Sequence, residues 1–550
     1  MSPRLTVLSS GILFMLRLTD IQLPLDHPES AIRSAILAKL GITEDALLSF
    51  DVFRRSYDAR KKTAINLIYT LDVVTDRDEE LLKQFHGDKN VTRTPDTNYK
   101  FVTHANNQNF SRPVVIGTGP CGLFAGLLLA QMGFRPIILE RGKAVRERTQ
   151  DTWGLWRKRE LKAESNVQFG EGGAGTFSDG KLYSQIKDPK HYGRKVLTEF
   201  VKAGAPEEIM YVSKPHIGTF RLVKMVESMR ANIIELGGEV RFSQKVVDIL
   251  REDGHIRGIS LESGEQIETN HVVLAIGHSA RDTFEMLYKR GVYIEAKPFS
   301  VGFRVEHPQS VIDKCRFGPN AGNPILGAAD YKLVHHAKNG RSVYSFCMCP
   351  GGTVVAATSE PNRIVTNGMS QYSRNERNAN SAIVVGISPE DYPGHPLAGI
   401  PFQRALESHA YILGGSNYNA PGQLVGDFIA NRPSTKLGLV EPSYKPGVQL
   451  GDLNSALPEY AITAIREALP AFEKQIRGFA MHDAILTGVE TRTSSPIRIK
   501  RNDHDLQSLN TRGLFPAGEG AGYAGGILSA AVDGIRVAEQ VALSITQNKT

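Results

Sequence analysis

The segment "VVIGTGPCGLFAGLLLAQMGFRPIILERG", residues 114–142, constrains the fold more than any other part of the chain. An apolar strand, Val114-Val115-Ile116, leads through Gly117, Gly119 and Gly122 at the spacing G-x-G-x-x-G into an apolar helix, then a second strand ending at Glu140. Each part has a physical duty. Gly117 makes the tight turn, Gly119 lets the backbone approach a pyrophosphate, and Gly122 lets helix and strand pack closely. The N–H groups freed at the helix N-terminus face the phosphates. Glu140 stands 18 residues after Gly122, where a carboxylate accepts hydrogen bonds from both ribose hydroxyls of an adenosine and repels a 2′-phosphate. Pro120 and Cys121 sit inside the turn, and Cys121 reads as a small packing residue. Strand, glycine turn, helix and strand in this order imply a doubly wound, parallel α/β sheet.

The same glycine spacing occurs twice more, at Gly170, Gly172 and Gly175 in "FGEGGAGTF" and at Gly520, Gly522 and Gly525 in "GEGAGYAGG". With 52 glycines in 550 residues the bare pattern is weak, and the flanking elements decide. No apolar strand precedes the middle match. After the last comes the helical "ILSAAVDGIRVAEQVALSI" and then the terminus, so no strand remains to carry an acid about 20 residues on. One nucleotide site built from distant pieces is therefore expected, and the later glycines belong to it.

A chain of this length exceeds one hydrophobic core and implies two or three domains. Its 41% hydrophobic and 22% charged residues are those of a soluble globular protein. The balance of 65 Lys plus Arg against 58 Asp plus Glu, +7, is mild and demands no polyanionic partner. Four cysteines are too few for a disulfide framework and fit a reducing compartment. The opening "MSPRLTVLSSGILFMLRLTD" has an apolar stretch, but Arg17 and Asp20 interrupt it and no small-residue cleavage site follows. It reads as a strand whose alternation begins at Met15, the expected natural start. No run approaches the roughly 18 apolar residues of a membrane span, and a cytoplasmic location is expected.

Residues 1–90 alternate strand, helix, strand, strand, helix ("MLRLTDIQLPL", "SAIRSAILAKLG", "DALLSFDVFRRSYDARKK", "TAINLIYTLDVV", "DEELLKQF"), the order of a ferredoxin-like α+β sandwich. The polar residues 91–111 read as a linker. A Rossmann-type α/β domain is expected over 112–294, interrupted by a mixed α+β substrate domain over 295–480, and completed by 481–550.

The first glycine segment resembles the FAD-binding fingerprint of glutathione-reductase-like flavoproteins, which read G-x-G-P-x-G and end in Glu-Arg or Glu-Lys before Gly. "HVVLAIGHSARDTF" resembles that superfamily's strand and turn, here at Ala275 to Gly277, and "LFPAGEGAGYAGG" resembles its C-terminal strand and acidic turn. "RRSYDARKK", "KPHIGT", "CMCPGG", "NGMS" and "GVETRTSSPIRI" extend the resemblance, over most of residues 15 to 545, to uncharacterised bacterial and plastid FAD-dependent dehydrogenases with an extra N-terminal domain. The resemblance implies a bound FAD and says little about substrate. It places Gly117, Gly119, Pro120, Gly122, Glu140, Arg141, Val247, Ala275, Gly277, Gly518, Glu519, Gly525, Gly526 and Ile527 at the cofactor. Glu519 stands where the superfamily has Asp, so its carboxylate reaches one methylene further. A helix starting at Gly525-Gly526 would aim its positive end at the negative charge a reduced flavin gathers around N1. The glycine-rich loop would lie against the flavin ring through Gly172, Gly173 and Thr176, with Ser178 and Lys181 as pyrophosphate or substrate contacts.

Candidates for the chemistry are fewer. Cys347 and Cys349 in "YSFCMCPGG" lie two apart on an expected strand, on one face and too far apart for an easy disulfide; packing and a thiol facing the flavin are both open. Arg492 in "TGVETRTSSPIRIKR", with Glu490 and the hydroxyls of Thr493, Ser494 and Ser495, offers a fork for a carboxylate or the flavin carbonyls, or a structural ion pair. His216 and the pair His335-His336 are candidate acids or bases. No Cys/His/Asp spacing points to a metal. The basic run Arg54, Arg55, Arg60, Lys61 and Lys62 beside Tyr57 would serve as an RNA face, a solvated face, or a surface for the flavin domain, and nucleic acid is not favoured as a partner.

The expectation is an FAD-dependent oxidoreductase that transfers a hydride through flavin N5 to or from a small molecule, with NADH or NADPH as transient donor. The alternatives are an FAD-dependent RNA-modifying protein and a flavin-binding regulatory protein without turnover.

Overall fold

The structure, a computed structural model, describes residues 15–106 and 109–547. Residues 1–14, whose apolar stretch bears on the natural start, lie outside the described residues. Strands Leu16–Pro24, Leu47–Asp58, Asn66–Thr75 and Val91–Arg93 form one antiparallel sheet, with the first and third at its centre. Helix Ser30–Leu40 buries Ile32, Ile36 and Leu40, a four-residue spacing that keeps them on one face. It ends at Gly41, whose φ of 65° closes the last turn. Val91–Arg93, which falls in the segment expected as linker, pairs with Leu16–Leu18. Three residues are too few to display an alternating pattern.

The second sheet is parallel. Its five strands run in the order Leu514–Pro516, Val272–Leu274, Val114–Ile116, Ile137–Leu139, Glu239–Arg241. Helix Pro120–Gln131 is apolar all round and buried along nearly its whole length, as such a composition requires, and the terminal helix Ile527–Gln547 packs against it. The end of the chain thus closes the domain that the first glycine turn opens. An antiparallel meander of Val246–Glu252, His255–Leu261 and Gln266–Glu268 precedes Val272–Leu274. Asp253 and Gly254 both have positive φ, the backbone of a two-residue hairpin turn.

The third sheet has seven strands in the order Val334–His336, Ser342–Cys349, Asn378–Ile387, Phe299–Pro308, Ile485–Glu490, Ala420–Leu424, Val448–Leu450. Asn378–Ile387 and Phe299–Pro308 pair along ten residues and are buried almost throughout, so both faces of this sheet are covered. Ile485–Glu490 belongs here rather than to the parallel sheet, beyond the boundary drawn at residue 480. The ladder between Ser342–Cys349 and Asn378–Ile387 slips between Phe346 and Cys349, where Cys347 has φ 43°.

The N-terminal sheet docks on the rest of the chain through its basic strand. The Arg55 N–H donates to the Tyr211 carbonyl at 2.6 Å and the Ser213 N–H donates to the Arg55 carbonyl at 2.9 Å. Tyr57 stands edge-on to Phe317 at 5.7 Å, and Asn320 donates to the Lys62 carbonyl at 2.7 Å.

Candidate functional site

The three glycines of the first turn are needed for different reasons. Gly117 has φ 102°, and a Cβ there would meet the Ala275 carbonyl at 2.3 Å. At Gly122 a Cβ would lie 1.9 Å from the Gly117 carbonyl, so only hydrogen fits. Gly119 is different: nothing closer than the Gly173 Cα at 3.7 Å stands over it, and it lines a cavity of about 1080 Å³. The cavity is large enough for a dinucleotide with room to spare. It also takes in Pro120, Glu140, Arg141, Gly173, Ala275, Gly277, Gly518, Glu519, Gly525, Gly526 and Ile527, so pieces from both ends of the parallel-sheet domain meet there. Gly525, like Gly277, has no heavy atom within 4 Å of where a Cβ would stand, and Gly526 has only Ser529 Oγ, at 3.8 Å. The start of the terminal helix is thus open to the cavity with its positive end, the Gly525 N–H donating to Ser529 Oγ at 3.3 Å. A cavity with open backbone at both glycine segments fits a pyrophosphate at the first turn and a flavin reaching the second.

The glycine-rich loop closes over this cavity from a rigid mount. Arg148, fully buried, donates to the carbonyls of Asn166, Glu171 and Val167 at 2.7–2.8 Å, and burial brings its guanidinium down to about 10. The Gly172 N–H donates to the Thr118 carbonyl at 2.9 Å, and Gly173 packs so closely on Gly119 that a Cβ would be 2.8 Å from its Cα. Gly172 and Thr176 do not line the cavity as expected. A Cβ at Gly172 would strike the Thr176 hydroxyl at 2.1 Å; the pair forms the underside of the loop. Gly122 lies outside the lining for the same reason, being helix packing. Val247 is also displaced from its expected place: it is 40% exposed, while Val246 lines the cavity, because neighbouring strand residues face opposite ways.

Several charged candidates are already engaged. Arg141 lines the cavity but forms paired bonds to Glu164 and Asp282 at 2.6–3.0 Å. Arg492 lines it too, and is held by Glu407 at 3.1 Å through two nitrogens and by Ser279 and Ser359 at 3.0 and 2.7 Å. Burial pushes the Glu407 carboxyl up, yet Arg281 and Arg492 hold it far below the usual carboxylate range. Arg492 is thus one arm of a buried ion network whose acid lies 85 residues away in the sequence. His216 lies outside the cavity lining, its Nε2 2.9 Å from the Tyr372 carbonyl and its ring stacked on Tyr372; burial and then Arg374 lower its pKa. His335 contacts Glu467 at 3.0 Å on the edge strand. Cys121 is buried beneath Gly518, a Cβ on which would lie 3.1 Å from its sulfur.

The same cavity is lined by residues whose arrangement the sequence concealed. Lys181, Cys347, Glu490 and Asn367 line it. Arg304, fully buried, grips Glu490 at 2.9 and 3.1 Å and donates to the Cys347 carbonyl at 2.8 Å and to Asn367 at 3.0 Å. That bond to the carbonyl fixes the bulge, which turns Cys347 off the regular alternation and into the cavity. Cys347 and Cys349 therefore do not share a strand face in the expected way: Cys349 is fully buried, and Cys347 is half-buried at the wall. The Cys347 thiol is held well below its ordinary value by the neighbouring Cys349 thiol, and by Lys181 and Arg304 against the effect of burial. Burial pulls the Lys181 ammonium down, but Cys349, Cys347 and Asp179 outweigh it and keep Lys181 charged. Glu519 faces the same space, pushed up to about 8 by burial against the pull of Lys297.

At the C-terminal turn, Asp533 accepts from the Gly518 N–H at 2.8 Å and pairs with Arg501 at 2.6 and 2.9 Å. Its signal was one acid on an otherwise apolar helical face in "ILSAAVDGIRVAEQ". Among the described residues no helix is long and apolar enough to cross a membrane.

Residues 298–493 match the family described as FAD-dependent protein, C-terminal domain-like, and residues 15–74 match a domain of unknown function. Among solved structures, a flavoprotein/dehydrogenase from Cytophaga hutchinsonii is 13% identical with a TM-score of 0.35, over 80% of each chain. A geranylgeranyl bacteriochlorophyll reductase-like protein from Thermoplasma acidophilum is 12% identical with a TM-score of 0.34, also over 80% of each chain. An uncharacterized protein of Clostridium beijerinckii is 49% identical over 528 residues, which are 96% of this chain and 98% of that protein. With that identity along nearly its whole length, the chain belongs to the family of the Clostridium beijerinckii protein, a family of FAD-dependent proteins.

Proposed function

We propose that the chain is an oxidoreductase that exchanges a hydride between FAD and a small molecule. One observation carries the reading: a single cavity runs from the nucleotide turn at Gly119 to a charged, thiol-bearing wall at Lys181 and Cys347. FAD, when bound, supplies two-electron chemistry. Gly119, Pro120 and the loop at Gly173 would hold its pyrophosphate, and Gly526 at the start of the terminal helix would offer an N–H donor near the flavin end. Cys347 Sγ can hold or release a proton, and Glu519, pushed up to about 8 by burial, can do the same near neutral pH. We further infer that residues 15–93 are a ferredoxin-like sandwich and that 298–493 form the substrate domain. The basic strand is packed against Tyr211 to Ser213 and Phe317, which favours a surface for the flavin domain over an RNA face.

The test is anaerobic. The purified protein should carry one FAD per chain by its absorbance near the flavin bands, and NADH or NADPH should bleach it. A chain that binds no FAD sinks the reading; one that holds FAD but is reduced by neither nucleotide nor dithionite-free photoreduction supports a regulatory role instead.

A further inference from the structure

Where the cavity wall carries Lys181 and Cys347, three acids are gripped by other cations and the Lys181 ammonium is held by none of them through a hydrogen bond. Asp179 is bound through both oxygens by Arg374, Glu490 by Arg304, and Asp330 by Lys214 at 2.7 and 3.0 Å. Lys181 Nζ lies 3.8 Å from Asp179 Oδ2, beyond hydrogen-bond reach. Among the described residues its ammonium makes no hydrogen bond, to the cysteine sulfurs or any other acceptor, although its side chain is only 19% exposed. Asp179 and Cys347 offset part of its charge, but a sheltered ammonium with three unused donors still calls for an acceptor, and an anionic one best. Arg316 and Lys332 line the same cavity toward solvent, with no ion-pair partner among the described residues. The mouth is therefore positive, and such a field draws anions inward. Beside these charges the wall is apolar, with Leu333, Phe346, Met348 and Ile476.

We propose that this part of the cavity takes the substrate as an organic acid with an apolar body, its carboxylate on Lys181 and its body against Leu333, Phe346 and Ile476. The inference rests on the reading of the glycine-lined part of the cavity as the FAD cradle. Lys181 is then the binding residue that fixes which end of the substrate points away from the flavin, and Arg316 and Lys332 speed entry without contacting the bound acid.

Isothermal titration of the FAD-loaded protein with octanoate and with benzoate, each beside its primary amide, decides the matter. The acids should bind at least tenfold more tightly than the amides. Lys181→Met should weaken acid binding at least tenfold and leave amide binding unchanged, Lys181→Arg should restore most of it, and both variants should keep one FAD per chain. Equal binding of acid and amide, no binding of either acid, or an unchanged acid affinity in Lys181→Met overturns the proposal. Saturable binding of poly(U) that displaces octanoate would also overturn it in favour of a polyanion. If the protein holds no FAD, the cofactor reading fails by itself, and the same titrations on the FAD-free chain judge the carboxylate site by the same criteria.

Discussion

Thr118 gives Glu140 two hydrogen bonds on one oxygen, from its hydroxyl at 2.7 Å and its N–H at 3.0 Å to Oε2. The other oxygen accepts from the N–H groups of Gly142 and Gly170, both at 2.9 Å. A carboxylate has about four acceptor sites, so Glu140 ties the glycine turn, the end of the second strand and the glycine-rich loop into one piece. This carboxylate shapes the cradle as well as lining it. Glu140→Gln turns an amide NH₂ toward N–H donors and should cost about 1–3 kcal/mol of stability even without FAD, together with a loss of FAD affinity. The check is thermal unfolding of FAD-free protein beside an FAD titration. An unchanged melting temperature with lost FAD affinity would restrict Glu140 to the ribose.

The first strand, turn and helix were legible because they are local: three apolar residues, a fixed glycine spacing and an apolar helix need no information from elsewhere. Cys347 was not. Its bulge is fixed by Arg304, 43 residues earlier, and a two-residue spacing on a strand gives no sign that the ladder slips. Arg492 stood out as a fork for a carboxylate or the flavin carbonyls, or as half of a structural ion pair, but its acid, Glu407, sits on a helix 85 residues away in sequence. Val247 was misplaced by a single residue, and in a strand one residue exchanges the two faces.

Glu519 makes the FAD-free protein sensitive to pH. Its folded pKa is about 8, raised by burial from the ordinary value of 4.5, so between those values the folded chain keeps a proton that the unfolded chain has lost. Stability therefore falls as pH rises from about 4.5 to 8, with a slope approaching about 1.4 kcal/mol per pH unit. Glu519→Gln removes this slope. Urea unfolding of FAD-free wild type and variant at pH 5 and pH 8 reads the difference; parallel curves for the two proteins would refute it.

Cys347 should be the reactive thiol of the four. The neighbouring Cys349 thiol, whose Sγ donates to the Cys347 carbonyl at 3.4 Å, favours the Cys347 thiolate together with Lys181 and Arg304, whereas burial pushes the Cys121 thiol up and Cys347 itself pushes Cys349 up. Iodoacetamide should label Cys347 first, with a half-point below the ordinary value of about 8.5, and Lys181→Met should move that half-point upward. Peptide mapping by mass spectrometry across a pH series gives the answer. Labelling of Cys349 ahead of Cys347 would contradict the assignment.

Gly122 and Gly525 separate folding from cofactor binding. A side chain at Gly122 has 1.9 Å to the Gly117 carbonyl, an overlap that neither backbone can relieve without parting the helix from the strand. Gly122→Val should therefore yield insoluble or unfolded protein. Gly525 has no positive φ and no neighbour within 4 Å of a Cβ, yet it lines the cavity at the start of the terminal helix. Gly525→Val should fold with an unchanged circular dichroism spectrum and melting temperature in FAD-free form. Its two added methyl groups and shielded N–H groups should weaken FAD binding roughly tenfold or more, about 1.4 kcal/mol. The comparison also tests how many nucleotides the glycine segments serve. If the C-terminal segment formed a second nucleotide site, Gly525→Val would leave the protein yellow and remove only the binding of NADH or NADPH. If it completes the FAD site, the variant purifies pale and regains colour only at high added FAD.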